Sequence, residues 1–204
     1  MRIQTMLIAS IVLFFSVSCG TKDPGITVVL GDSIMEGHNA LHGIPHGQFT
    51  NEPGQISFTL EKRFGGMVFN QAEGGARCNG TLSVLNVRAL DFNPKRIFLG
   101  CGVNDLGRFI DPRPEMEQLI TRILAHEPKI DLYVFTVGRN PSRPDIDQDV
   151  LDFNHWLNQF PVKVIDYDLW ASTTDRSLHF DDGDTVHPNK EGYMDLGEFI
   201  IDSL

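Results

Sequence analysis

Three short stretches, far apart in the chain, carry side chains that together could perform acyl transfer: Gly31-Asp32-Ser33-Ile34, Gly102-Val103-Asn104-Asp105 and Asp184-Thr185-Val186-His187-Pro188. A serine hydroxyl attacks a carbonyl only if a base takes its proton, and an imidazole oriented by a carboxylate is such a base. Asp184 and His187 stand three residues apart, so one short loop can present both groups to Ser33. Asn104 adds a side-chain amide for the negative charge that develops on the attacked oxygen. Each motif also has a purely structural explanation. Ser33 followed three residues later by Glu36 is the pattern of a helix N-cap with a capping box, and His187 precedes Pro188, whose ring suits the first position of a helix.

Positioning such groups calls for a scaffold that gathers loops at one edge. Apolar runs suited to buried strands recur at Ile26–Leu30, Met67–Asn70, Arg96–Gly100, Leu132–Val137 and Val162–Asp166. Helical patterns lie between them. In Glu115–His126, Met116, Leu119, Ile120, Ile123 and Leu124 follow the i, i+3, i+4, i+7, i+8 template between Pro112 and Pro128. Ile56, Leu60 and Phe64 form a weaker stripe, and Val150, Leu151, Leu157 and Phe160 suggest another helix. Alternating strands and helices predict an α/β fold with parallel strands and right-handed crossovers, hence a three-layer α/β/α sandwich around a five-stranded sheet. Ligands of such sheets bind beyond the carboxyl ends of the strands. Ser33, Gly75 and Asn104 follow the first three predicted strands and would meet there. The Gly31–Gly37 turn lacks both G-x-G-x-x-G and a P-loop lysine, which argues against a nucleotide site.

With 204 residues, 41% of them hydrophobic, the chain is long enough to bury one substantial core. Its formal charge of -10 repels phosphate backbones, so no nucleic-acid partner is expected. Residues 1–18 read as an export signal: Arg2 supplies the positive end, Met6–Phe15 the apolar stretch and Ser16-Val17-Ser18 the small-residue cleavage context. Phe15-Ser16-Val17-Ser18-Cys19 resembles a bacterial lipobox, with Ser16 where leucine is usual. That resemblance implies lipidation of Cys19 and a membrane anchor in the bacterial cell envelope; secretion after Ser18 is the alternative. Cys78 and Cys101 flank the proposed site and read either as a disulfide in an oxidising compartment or as two unpaired core residues. His38, His42 and His46 recur every four residues, but Gly37, Gly43, Pro45 and Gly47 oppose a helix there. A histidine-bearing loop over the site mouth, binding no metal, is the expectation. Arg77, Arg139, Trp156 and Trp170 are candidate substrate contacts, with Trp156 assigned to the core and Trp170 to the cleft.

Four blocks in order, those of Ser33, Asn70-Gln71-Ala72-Glu73-Gly74-Gly75, Asn104 and Asp184-x-x-His187, resemble the SGNH (GDSL-type) hydrolases, an esterase and lipase superfamily. The resemblance spans nearly the whole chain after the leader and implies a single hydrolase domain over residues 24–204. It implies a flavodoxin-like strand order, which places the first strand between the second and third. It implies Ser33 as nucleophile, His187 as base, and Asp184 rather than Asp181 or Asp182 as the orienting acid. The oxyanion donors would be the Ser33 N–H, the Gly75 N–H and the Asn104 amide. The choice of Gly75 over Gly74 follows the family spacing from Asn70, although Ala72 stands where a glycine is common. No metal or organic cofactor is implied. The segment Met35–Pro53 is polar and glycine-rich with no extended apolar run, so no tunnel for a long acyl chain is visible, and the expected substrate is a small-molecule or carbohydrate ester with a short acyl group such as acetyl. Lysophospholipid or thioester hydrolysis is the alternative within the class, and a non-catalytic envelope or glycan-binding protein the alternative outside it.

Overall fold

Residues 24–38, 52–126 and 128–204 are described by the computed structural model; the expected export signal, Cys19, His42 and His46 lie outside them. The β-branched and aromatic residues of the apolar runs suit a pleated surface covered on both faces. Each run contributes one strand: β1 (Thr27–Gly31), β2 (Val68–Asn70), β3 (Arg96–Gly100), β4 (Asp131–Phe135) and β5 (Lys163–Ile165). All pairings are parallel, in the order β2-β1-β3-β4-β5, so β1 lies between β2 and β3 as expected. β4 stops two residues short of Val137 because a side chain takes over from the ladder. The Asn154 amide accepts from the Val137 N–H (2.8 Å) and donates to its carbonyl (2.7 Å).

Helices fill both faces: α1 (Ser33–Glu36), α2 (Ile56–Phe64), α3 (Cys78–Arg88), α4 (Val103–Leu106), α5 (Arg113–Leu124), α6 (Asp147–Leu157), α7 (Tyr167–Thr173), α8 (Arg176–His179) and α9 (Lys190–Asp202). Side chains alternate along the strands. Val28, Leu30, Ile97, Leu99, Leu132 and Val134 meet Leu85, Leu119, Ile120, Ile123, Val150 and Phe153 of α3, α5 and α6 on one face. Val29, Phe98, Tyr133 and Phe135 meet Ile56, Leu60, Trp170, Tyr193, Leu196 and Ile200 of α2, α7 and α9 on the other. α5 begins two residues before the predicted start, since Pro114 is tolerated in a first turn. Its Met116, Leu119, Ile120 and Ile123 are fully buried, each worth roughly 1.5–3 kcal/mol relative to exposure. Leu124 is 39% exposed, and so is not part of the buried stripe. Among the described residues no helix is long and apolar enough to cross a membrane.

Candidate active site

The turn after β1 is built around one close approach. Gly31 has φ 143°, and a Cβ there would lie 1.8 Å from the Gly100 carbonyl oxygen, so only glycine lets β1 and β3 stay paired where the chain turns. Asp32 comes next and caps α1: its Oδ1 accepts from the Ile34 N–H (3.0 Å), while its own N–H donates to the Gly100 carbonyl (3.1 Å). This corrects the capping-box expectation. Asp32 is the cap rather than Ser33, so the Ser33 hydroxyl is not consumed by the backbone. The carbonyls of this short helix are satisfied by side chains from three other elements. Asn70 Nδ2 donates to Met35 and Glu36 (3.1 and 3.2 Å), Gln55 Nε2 to Glu36 (3.0 Å), and the buried Tyr193 hydroxyl to Ser33 (3.3 Å).

Ser33, only 6% exposed, directs its hydroxyl at the C-terminal loop. Its Oγ lies 2.9 Å from His187 Nε2, and His187 Nδ1 lies 2.9 Å from Asp184 Oδ2. The other carboxylate oxygen of Asp184 accepts from the Val186 and His187 N–H groups (2.8 and 2.9 Å), which fixes carboxylate and imidazole in one frame. An Nδ1–H directed to Asp184 leaves Nε2 as the acceptor for the serine proton. Asp181 and Asp182 are exposed in the same loop. Pro188 does not start a helix, because Asn189 caps α9 by accepting from the Gly192 N–H (2.8 Å) while Pro188 bridges to Phe180. Arg176 holds the loop from below, donating to the carbonyls of Thr185 (2.7 Å) and Ala171 (3.2 Å) and lying 3.7 Å over the Phe180 ring. Burial lowers the proton affinity of its guanidinium. Sequence reasoning missed Arg176, and nothing in its surroundings marks it. Tyr193 was also missed, although Tyr193, Leu196 and Ile200 have helical spacing.

The loops after β2 and β3 meet above β1. Asn104 Nδ2 donates to the Ala76 carbonyl (3.0 Å), which orients the amide with its second N–H still to be used. Gly75 has φ 76° with nothing within 4 Å of a would-be Cβ, so conformation rather than space selects glycine. Its turn closes on a neighbouring group, the Ala76 N–H donating to the Glu73 carbonyl (3.0 Å). The Ser33 N–H, at the first position of α1, is one that a helix leaves without an intrahelical acceptor. Cys78 and Cys101 form a disulfide, resolving the two sequence alternatives in favour of the bridge.

Burial pushes the Asp32 carboxyl up to about 7, against the pull of the Ile34 and Met35 N–H groups, and the neighbouring Asp105 raises it further. Burial raises Asp105 too, opposed by the Cys78 N–H and the charge of Arg77. His38 stands at the mouth, its ring 4.8 Å from that of His187. Trp170 corrects an expectation: it is 3% exposed, packs between Tyr167 and Phe180, and donates to Asp195 Oδ2 (2.7 Å), so it belongs to the core and not the cleft. Trp156 is half-buried against Phe153 and Phe160. Arg139 is tied to Asp168 (3.0 Å) and lines a small pocket with Ile34, Val103, Tyr167, Arg176 and Val186. Ile34, Val103 and Val186 are the chain neighbours of Ser33, Asn104 and His187. The cavity volume is about 20 Å³, little more than the space one water molecule needs. Among the described residues no group of three His, Cys, Asp or Glu side chains could hold a metal.

Residues 29–194 match the profile of the GDSL-like lipase/acylhydrolase family. No curated protein matches the chain. Solved structures do. A putative lipolytic protein of the G-D-S-L family from Desulfitobacterium hafniense superposes with a TM-score of 0.67 at 17% identity, over 88% of this chain and 99% of that one. A G-D-S-L family lipolytic protein from Veillonella parvula gives 0.67 at 21%, covering 87% and 96%. An acetylxylan esterase from Geobacillus stearothermophilus gives 0.64 at 16%, covering 89% and 95%. At these identities the likeness is one of fold.

Proposed function

The chain belongs to the GDSL-like lipase/acylhydrolase family and is a carboxylic ester hydrolase, and from that premise we propose that it works through an acyl-enzyme on Ser33 and acts on short-chain, acetyl-sized esters such as those on carbohydrates. The observation that carries the mechanism is the unbroken line from Ser33 Oγ through the His187 ring to Asp184, each link 2.9 Å. His187 takes the Ser33 proton as Oγ attacks the ester carbon, and Asp184 stabilises the resulting imidazolium. The Ser33 and Gly75 N–H groups and the Asn104 amide take the charge on the former carbonyl oxygen. Collapse expels the alcohol with the proton from His187, and water repeats the sequence to release the acid.

The short-acyl reading rests on the sequence of residues 35–53, which is polar and glycine-rich with no extended apolar run to line a tunnel for a long chain. An acetylxylan esterase on the same fold is compatible with that reading and is not its basis. Initial rates on p-nitrophenyl esters from acetate to palmitate test it, with a maximum at acetate or butyrate expected and a maximum at long chains excluding the reading. Export with lipidation of Cys19 rests on the leader sequence; Cys19→Ser should abolish detergent partitioning of the native protein, and persistent partitioning would exclude the anchor.

A further inference from the structure

We propose that the Cys78–Cys101 disulfide is a positioning device for the oxyanion side of the site, holding the Gly75 turn against the Asn104 loop so that both donors address one oxygen. The proposal rests on the reading of Gly75 and Asn104 as oxyanion donors. Its basis is topological. β2 and β3 are not neighbours in the sheet, because β1 lies between them. β1 sets their separation as far as Glu73, whose N–H donates to the Gly31 carbonyl (2.9 Å), and Gly100, which pairs with Gly31; beyond those residues no ladder joins the two loops that follow. Among the described residues three covalent or hydrogen-bonded ties cross that gap, beside the attraction between Arg77 and Asp105. Asn104 Nδ2 donates to the Ala76 carbonyl (3.0 Å), the Cys78 N–H donates to Asp105 Oδ2 (3.0 Å), and the disulfide joins Cys78, three residues after Gly75, to Cys101, three before Asn104. The first two can break and re-form with thermal motion; the third cannot. Both cysteines are buried, at 0% and 2% exposure, so the bridge lies within the packed end of the sheet and not on a surface loop.

Donors aimed at a developing charge act only if they are fixed before the charge appears. A misplacement of the order of 1 Å can cost about 10²-fold in rate. Removal of the bridge should therefore act on kcat through Asn104 and leave substrate binding nearly unchanged.

A double-mutant cycle on the full chain, with p-nitrophenyl acetate as the probe, separates this from a merely stabilising staple. Cys78→Ala with Cys101→Ala is expected to lower kcat about 10- to 100-fold with KM within about 3-fold. In an Asn104→Ala background the same pair should lower kcat by less than about 3-fold, because residues acting through one another are not additive. Equal losses in both backgrounds, or wild-type kcat with only a lowered melting temperature, would overturn the proposal. If circular dichroism shows that the bridge-free chain does not fold, Asp105→Asn loosens a second tie across the same gap. The same cycle then decides: coupling to Asn104→Ala supports the clamp and additivity overturns it. The parent reading fails separately, since Asn104→Ala alone would then leave kcat unchanged.

Discussion

The two halves of the candidate site are held in different ways. On one side Ser33, His187 and Asp184 form a line of hydrogen bonds already made in the resting protein, and their loop is fixed by Arg176 and Asn189 through backbone carbonyls. On the other side Asn104 and Gly75 sit on loops that no strand pairing joins, with a buried disulfide and the Asp105 carboxylate between them. The contrast follows from the work each half does. In the proposed mechanism the Ser33 proton passes to His187 along a bond that exists before substrate arrives, while Asp184 orients the imidazole, so those bonds themselves hold the groups in place. Donors that wait for a charge must leave one N–H unused, so their geometry comes from other ties, such as the bond from Asn104 Nδ2 to the Ala76 carbonyl and the disulfide.

Breaking the relay should have the largest effect. His187→Ala is expected to lower kcat by about 10⁶, close to the loss from removing Ser33 as well, because members of such a relay act as a unit. Stopped-flow rates with p-nitrophenyl acetate for the two single variants and the pair would check this, and additive losses would separate His187 from Ser33. The oxyanion side should yield a smaller loss: Asn104→Ala is expected to cost about 10²–10³ in kcat, measured by steady-state kinetics on the same ester.

These halves were not equally legible in the sequence. The relay side was the more legible, because one short loop carries Asp184 and His187 three residues apart and the Asp-Ser pair follows an apolar strand, although family spacing was what chose Asp184 over Asp181 and Asp182. For the oxyanion side, Gly75 was selected by family spacing alone, and the pairing of Cys78 with Cys101 stayed open because Cβ separation is not a property of sequence. The five strands were readable as apolar runs, with ends misplaced where side chains such as Asn154 replace the ladder. α3 was not readable: only Cys78, Thr81 and Leu85 of its residues are buried, too few for a clear stripe. α9 carries Gly192 and Gly197 in its interior, where glycine weakens helix propensity. At position 197 a Cβ would lie 2.4 Å from Thr59 Oγ1, so close packing against α2 is what requires the residue. Trp170 was misassigned because a tryptophan after the last strand can turn either way, and its N–H finds Asp195 on α9.

A smaller effect concerns Asp32, which sits beneath both halves with its N–H on the Gly100 carbonyl. Its carboxyl is raised by burial to about 7, from an ordinary value of 3.8. Between those values the folded protein holds a proton that the unfolded chain has lost. The contribution to stability is therefore fully present below about pH 4, falls as pH rises toward 7 and is constant above. Asp32→Asn keeps the cap oxygen for the Ile34 N–H and removes the titration. Relative to wild type, the variant should gain stability between pH 4.5 and pH 8, by about 1.4 kcal/mol for each pH unit from 4.5 up to the pKa of the folded carboxyl, read from urea midpoints at the two pH values. An unchanged difference would mean that Asp32 is ionised in the folded protein.

The claim on which the account turns is that Ser33 is the group activated by His187. A fluorophosphonate reports on it directly, since attack on phosphorus needs the same deprotonated hydroxyl and leaves a stable adduct. Peptide mass mapping of the labelled protein should place a single adduct on Ser33, and Ser33→Ala should lose both the adduct and ester hydrolysis while remaining folded. An adduct on another serine, such as the exposed Ser172, together with turnover retained in Ser33→Ala, would contradict it.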